Sequence, residues 1–176
     1  MSLSFLDEYW NIVDCEKRTQ EQAIKRNKHF DPLTNFLLKI NNSGVPEDKI
    51  PVRYRSWKKW DLHFPLQNIA IEYKSITSKS IQKAKYFRIE EALGSAIDLK
   101  KQNDNYRLGF LLVFAFPFEN VNIIKSRDYM ISAFDNMVND GIYDFFCPLQ
   151  TTSMGNHWEL SNKNTFANFI KECEFK

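Results

Sequence analysis

Two neighbouring stretches decide the fold of this chain: WKKWDLHFP at residues 57–65 and NIAIEYKS at residues 68–75. Each contains a short apolar and aromatic run of the kind that forms β-strands, and the residues between the two runs favour a turn. The pattern predicts a β-hairpin. The simplest connection is a two-residue loop made of Leu66 and Gln67, and this loop sets the register of the two strands.

That register brings two carboxylates together. It places Asp61 directly opposite Glu72, and opposed side chains on one face of a sheet lie about 4.5–5.5 Å apart at Cβ. Two anions at this distance repel each other unless one is protonated or a cation lies between them. Because side chains alternate along a strand, Lys74 joins the same face as Glu72. The hairpin therefore predicts two oxygen ligands and an ammonium group that converge.

This trio of residue types suits a divalent-metal nuclease. Mg²⁺ prefers oxygen ligands and keeps several waters, so one or two carboxylates and a substrate phosphate make a suitable site. Asp61 and Glu72 would hold the ion, with the backbone carbonyl of Tyr73 as a further ligand. Lys74 would orient or deprotonate the attacking water and offset the charge of the phosphate. The alternative is that these residues form an ordinary solvated outer face of the hairpin.

Length and composition predict one domain over residues 1–176, because 43% hydrophobic and 15% aromatic content is enough for a substantial core. The longest apolar run, Leu108–Phe118, is too short to span a bilayer, and the sequence predicts a cytoplasmic protein without a membrane partner. Three cysteines without a close pair and three scattered histidines favour neither a disulfide framework nor a zinc site.

The net charge of +2 is unevenly distributed. From Arg53 to Arg88, nine Lys or Arg residues stand against only Asp61 and Glu72, which leaves a local balance of +7. A basic segment around a candidate phosphodiesterase site suits a polyanionic substrate such as DNA, because neutralisation of phosphates supplies most nucleic-acid affinity. The alternative is a solvated basic face without a partner.

The rest of the chain reads as an α/β fold in which helices flank a central mixed sheet that carries the hairpin. Hydrophobic periodicity predicts helices over Phe5–Lys25, Asp31–Asn41, Ile89–Lys101, Tyr129–Asn139 and Asn164–Glu172. Near-continuous apolar runs predict buried strands over Leu108–Phe116 and Tyr143–Leu149.

Three of these segments resemble a known family. The sequence WDL at 60–62, IAIEYKS at 69–75 and RIEEALGSAIDL at 88–99 is similar to the core of XhoI-type type II restriction endonucleases, which belong to the PD-(D/E)xK nuclease superfamily. The spacer between the last two segments also has the family's length. Weaker likenesses extend over residues 8–150, and they include the K-x-x-D pattern that ends at Asp31.

The resemblance implies a restriction-endonuclease-like core and Mg²⁺-dependent cleavage of double-stranded DNA at a short palindromic site by a homodimer, as part of a restriction system. It also implies that Asp61, Glu72 and Lys74 are the catalytic residues. The spacer 76–87 differs from the Gly- and Asn-rich stretch of the family, so no recognition sequence is implied. The positive charge of this spacer and of the residue directly after it lies next to the candidate site, which makes four cations the candidate DNA contacts: Lys79, Lys83, Lys85 and Arg88.

Several nearby residues have two interpretations each. Glu90 and Glu91 could orient a ligand or a metal-bound water, or they could be favourable charges in the first turn of a helix. His63 shares the face of Asp61 and could touch a phosphate, or it could be a solvated hairpin residue. Asp31 could be a third metal ligand or the N-cap of its helix.

The aromatic pair Tyr86 and Phe87 could pack against DNA or form a hydrophobic staple before a helix that begins near Ile89. Two alternatives to a restriction-type enzyme also remain open. One is a DNA-binding restriction subunit or remnant that does not cut by itself, and the other is a structure-selective nuclease of repair or recombination from the same superfamily.

Overall fold

The computed structural model describes residues 3–15, 28–117 and 120–174. The helices are α1 (Phe5–Cys15), α2 (Asp31–Ile40), α3 (Ser78–Gln102), α4 (Val121–Asn139) and α5 (Phe166–Cys173). The strands are β1 (Val45–Pro46), β2 (Lys49–Ile50), β3 (Lys58–Lys59), β4 (Leu62–Phe64), β5 (Ile69–Ile76), β6 (Arg107–Ala115), β7 (Phe145–Thr151) and β8 (His157–Glu159). The part of the first predicted helix beyond Cys15 lies outside the described residues.

Six strands form one mixed sheet in the order β1-β4-β5-β6-β7-β8. The strands β5, β6 and β7 run parallel to one another, and the pairs at both edges are antiparallel. The strands β2 and β3 make a separate two-stranded ribbon. The α/β class and the mixed central sheet are therefore as the sequence predicts.

Two hydrophobic layers cover the faces of this sheet. Helices α1, α2 and α5 pack on one face, against alternate strand residues such as Ile71 and Leu111. Helices α3 and α4 pack on the other face, where Phe134 stacks on Phe110 with ring centroids 4.3 Å apart. Burial on both faces explains why β6 and β7 read as nearly continuous apolar runs, as the central strands of a parallel sheet do.

The hairpin forms with the predicted register but with a different loop. Leu62 pairs with Ile71 and Phe64 pairs with Ile69, as expected. The prediction of a two-residue loop is wrong, because a 3₁₀ turn over Pro65–Gln67 and a left-handed Asn68 connect the strands. This loop adds one residue to each side and so leaves the register unchanged.

The helix after the hairpin starts much earlier than predicted. α3 begins at Ser78, and the Ser80 hydroxyl accepts a 3.2 Å hydrogen bond from the Thr77 amide at its start. The spacer is therefore helical, because it contains no Gly or Pro and is rich in good helix formers. Two predictions are consequently wrong: Glu90 and Glu91 do not lie in a first helical turn, and the aromatic pair before Arg88 is not a staple.

Other helix and strand ends differ by local capping. α4 begins at Val121 rather than Tyr129, because the Asn120 side chain accepts a 2.8 Å hydrogen bond from the amide of Asn122. The short strands β1, β2, β3 and β8 carry no periodic signal of their own. Within the described part of the chain, no helix is long and apolar enough to cross a membrane, and Cys147 and Cys173 are buried free thiols.

His29 provides a test of the layer formed by α1 and α2. It is buried against the rings of Tyr9 and Phe30, and burial lowers its pKa from 6.5 to about 4. Between pH 6.5 and about 4, His29 is protonated in the unfolded chain but neutral in the folded protein. We expect the contribution of His29 to the free energy of unfolding to fall by about 3 kcal/mol as the pH decreases through this window.

Urea unfolding measured at several pH values between 6.5 and 4 checks this expectation. The variant His29→Gln carries no titratable group at this position, so the difference in unfolding free energy between the wild type and His29→Gln isolates the contribution of His29 from that of groups common to both, such as Asp61. An equally steep fall in the stability of His29→Gln would assign the effect to other groups.

Candidate active site

Glu72 lies at the centre of the candidate site. It lies on β5, in the sheet that helices cover on both faces, and it is only 3% exposed. Its Oε1 atom lies 2.9 Å from the Lys74 Nζ atom, and its Oε2 atom lies 2.5 Å from the Nζ atom of Lys58. The structure therefore confirms that Glu72 and Lys74 share a face, and it adds a second lysine.

Lys58 is a site residue that the sequence interpretation missed. It lies on β3, and its ammonium group is 4.3 Å from the centre of the Trp60 ring. The sequence placed Lys58 in a general basic segment without assigning it to the site. The available signal was its spacing of two residues from the buried Trp60, which puts both side chains on one side of an extended segment.

Asp61 reaches the site in a different way from the one predicted. The regular ladder ends at Leu62, and Asp61 lies at a bend just before β4. Its Oδ2 atom accepts a 2.7 Å hydrogen bond from the backbone amide of Tyr73. Since the N–H and C=O groups of one strand residue point to the same side, the Tyr73 carbonyl also faces Asp61.

The electrostatics of the three residues are strongly coupled. Burial raises the pKa of Asp61 to about 6, and the charge of Glu72 adds to this increase, while Lys74, the Tyr73 amide and Lys58 oppose it. Burial also acts to raise the pKa of Glu72, but the two ammonium groups outweigh it and lower that pKa. Burial acts to lower the pKa of Lys74, yet Glu72 and Asp61 raise it, so Lys74 stays protonated.

The donor set fits a hard divalent cation. Burial and the charge of Glu72 both disfavour the ionised form of Asp61. A cation beside Asp61 would offset both effects. Among the described residues, no group of three or more His, Cys, Asp or Glu side chains is placed to hold a metal. The protein ligands of a bound Mg²⁺ would be Asp61, Glu72 and the carbonyl of Tyr73, and so small a set would leave the ion several waters.

A cleft of about 250 Å³ opens beside Asp61. Its lining includes Asp31, Glu47 and Lys28. The N-cap interpretation of Asp31 is wrong, because the 3₁₀ turn before α2 makes Phe30 the capping residue and the Asp31 side chain makes no capping bond. Burial, together with the charge of Glu47, raises the pKa of Asp31.

His63 does not lie on a solvated surface. It is 6% exposed, its Nδ1 atom lies 2.6 Å from the Oδ2 atom of Asp48, and its Nε2 atom lies 3.1 Å from the Tyr106 hydroxyl. Both ring nitrogens are thus engaged inside the protein. The solvated interpretation is wrong, and the geometry leaves His63 no ring nitrogen for a phosphate.

The two glutamates of α3 differ in their surroundings. Glu91 accepts a 2.7 Å hydrogen bond from Arg88, and its charge also acts on Lys74 by raising the pKa of that residue. Glu90 is exposed on the outer side of the helix. Glu91 is consequently the one of the pair that is electrostatically connected to the site.

The candidate DNA contacts lie along the first half of α3. Lys79 and Lys83 are exposed, whereas Lys85 lies 3.4 Å from the Ser126 hydroxyl and is partly covered. Large aromatic side chains accompany them: Tyr86, Phe87 and Tyr129 are each about half exposed or more. This half of the helix is therefore a positively charged surface with aromatic groups.

Comparisons with protein-family models, with curated proteins and with solved structures find no match for this chain. The likeness of residues 60–99 to XhoI-type endonucleases therefore stays a prediction. A functional interpretation therefore rests on the geometry of Asp61, Glu72 and Lys74.

Proposed function

We propose that this protein is a Mg²⁺-dependent endodeoxyribonuclease with a restriction-endonuclease-like core of the PD-(D/E)xK type. One observation carries the proposal: two carboxylates and a lysine converge around Tyr73, on a central strand beside a basic helix. The corresponding substrate is double-stranded DNA, cut as a type II enzyme cuts at a short palindromic site. A homodimer would present two such sites to the two strands.

The three site residues have distinct roles in this proposal. Asp61 and Glu72 hold the metal, which when bound polarises the scissile phosphate and activates water. Lys74 is protonated at neutral pH, because its pKa is raised by the two carboxylates. As a cation it would orient the attacking water and offset phosphate charge.

The test is to incubate the purified protein with Mg²⁺ or Mn²⁺ and a DNA that carries all short palindromes. Discrete fragments support a restriction-type enzyme. A smear of products indicates a structure-selective or nonspecific nuclease of the same superfamily, and intact DNA with retained binding indicates a subunit that does not cut by itself.

DNA affinity should depend strongly on salt through α3. We expect the replacement of Lys79 or Lys83 with Gln to weaken binding and to lower the slope of log K against log salt by roughly 0.9 per lost phosphate contact. Lys85 and Arg88 should contribute less, because Ser126 and Glu91 already engage them. Binding titrations at several salt concentrations measure the slope.

Lys101 provides the matched control, because it is an exposed lysine at the opposite end of the same helix. Lys101→Gln should leave both the affinity and the slope near the wild-type values. If Lys79→Gln and Lys83→Gln behave like Lys101→Gln, the first half of α3 does not face DNA.

A further inference from the structure

The carboxylate of Glu72 is held by two ammonium groups at once. Lys74 contacts one oxygen and Lys58 contacts the other, and the Lys58 side chain is only 11% exposed. This arrangement places two cations on one anion in a buried position. Both ammonium groups thus occupy the oxygens of Glu72 to which a divalent cation would have to bind.

A metal ion and an ammonium group compete for the same carboxylate. An ammonium group is a donor without an acceptor, so it cannot become a metal ligand, and its charge repels the ion. A cation that takes the Oε2 atom of Glu72 must therefore displace Lys58, whose nitrogen lies 2.5 Å away. An ion that takes Oε1 would meet Lys74 in the same way.

The two lysines reach Glu72 from different elements. Lys74 lies on the central strand β5 and is drawn towards Asp61 as well as towards Glu72. Lys58 lies on the two-residue strand β3, which belongs to the separate ribbon. In the same position its ammonium group lies 4.3 Å from the centre of the Trp60 ring, and this contact helps to hold it beside Glu72.

We propose that Lys58 is a positioning residue that holds Glu72 in the metal-free protein and competes with the divalent cation for this carboxylate. The inference rests on the proposed function, since it takes Glu72 to be a metal ligand. Lys58 holds the Glu72 carboxylate in one orientation before the metal arrives. The same contact makes metal binding weaker than the two carboxylates alone would allow.

Calorimetric titration with MnCl₂ tests the competition without any cleavage assay. Lys58→Met keeps an apolar stem beside Trp60 but removes the charge, so it should bind Mn²⁺ at least about tenfold more tightly than the wild type does. Lys59→Met is the matched control, because the neighbouring Lys59 is exposed and pairs with Glu47 instead. Its Kd for Mn²⁺ should stay near the wild-type value.

Two more variants guard against a folding defect. Lys58→Gln is a second neutral replacement and should also bind Mn²⁺ more tightly, whereas Lys58→Arg retains the charge and should bind like the wild type. Circular dichroism identifies the folded variants. If the folded neutral variants bind Mn²⁺ no more tightly than the wild type, Lys58 does not compete with the metal, and the proposed nuclease function is unaffected. If neither the wild type nor any variant binds Mn²⁺, the metal site itself is refuted, and the proposed function falls with it.

Discussion

Asp61→Asn is expected to lower the rate of DNA cleavage by at least about a thousandfold. The amide has nearly the same shape as the carboxylate, but it lacks the charge that holds Mg²⁺ beside Glu72. Its oxygen can still accept the hydrogen bond from the Tyr73 amide, so the bend before β4 should persist. Single-turnover cleavage of a duplex substrate, with Mg²⁺ and separately with Mn²⁺, measures the loss.

The same substitution should make the metal-free protein more stable. Burial raises the pKa of Asp61 to about 6, so the folded protein destabilises the ionised form that prevails at neutral pH. Below its unfolded pKa this cost is absent, and it grows as the pH rises through 6. Removing the charge should therefore raise the free energy of unfolding at neutral pH by up to about 3 kcal/mol.

Metal-free DNA binding should be retained or slightly improved in Asp61→Asn, because an anion that repels phosphates is removed. Asp104→Asn is the matched control, since Asp104 is an exposed aspartate in the loop before β6. It should change neither cleavage nor stability appreciably. Cleavage by Asp61→Asn at the wild-type rate would remove the central support for the nuclease proposal.

Lys74→Ala is expected to reduce cleavage by at least about a hundredfold for a different reason. It removes the cation that faces both carboxylates but leaves Asp61 and Glu72 in place as ligands. Mn²⁺ binding should therefore survive in Lys74→Ala, whereas Asp61→Asn should lose it. Calorimetric titration with Mn²⁺, run beside the cleavage assay, separates loss of the metal from loss of the lysine.

DNA binding by Lys74→Ala should weaken only slightly, because one partly buried cation is lost from a much larger basic surface. Lys59→Ala is the control, since it removes a neighbouring exposed cation that pairs with Glu47 rather than with Glu72. If Lys74→Ala cuts at the wild-type rate while Lys59→Ala does not, the lysine has been assigned to the wrong position.

Local patterns in the sequence were sufficient for the framework of the site. The apolar runs around Glu72 and Phe110 identify β5 and β6, because a strand buried on both faces must be apolar at nearly every position. The period of two along β5 then puts Glu72 and Lys74 on one face. The register from Leu62 to Phe64 also follows from the hairpin pattern, even though the loop was wrong.

The extent of α3 was also within reach of local patterns. Thr77 and Ser80 form a capping box at the start of the helix, and no Gly or Pro follows before Gly94. The predicted start at residue 89 followed the hydrophobic periodicity instead, which is weak over residues 78–88 because most of them are exposed or only partly buried. Helix propensity acts over a few neighbouring residues, so here the local signal was the better guide.

The full set of contacts in and around the candidate active site depends on residues that are far apart in the chain. Lys58 meets Glu72 because a separate two-stranded ribbon carries it over the sheet, and His63 is buried because Asp48 and Tyr106 reach it from two other segments. No periodicity encodes these contacts. They arise when packing of the two hydrophobic layers brings the segments together, and burial then makes each charge depend on its partners.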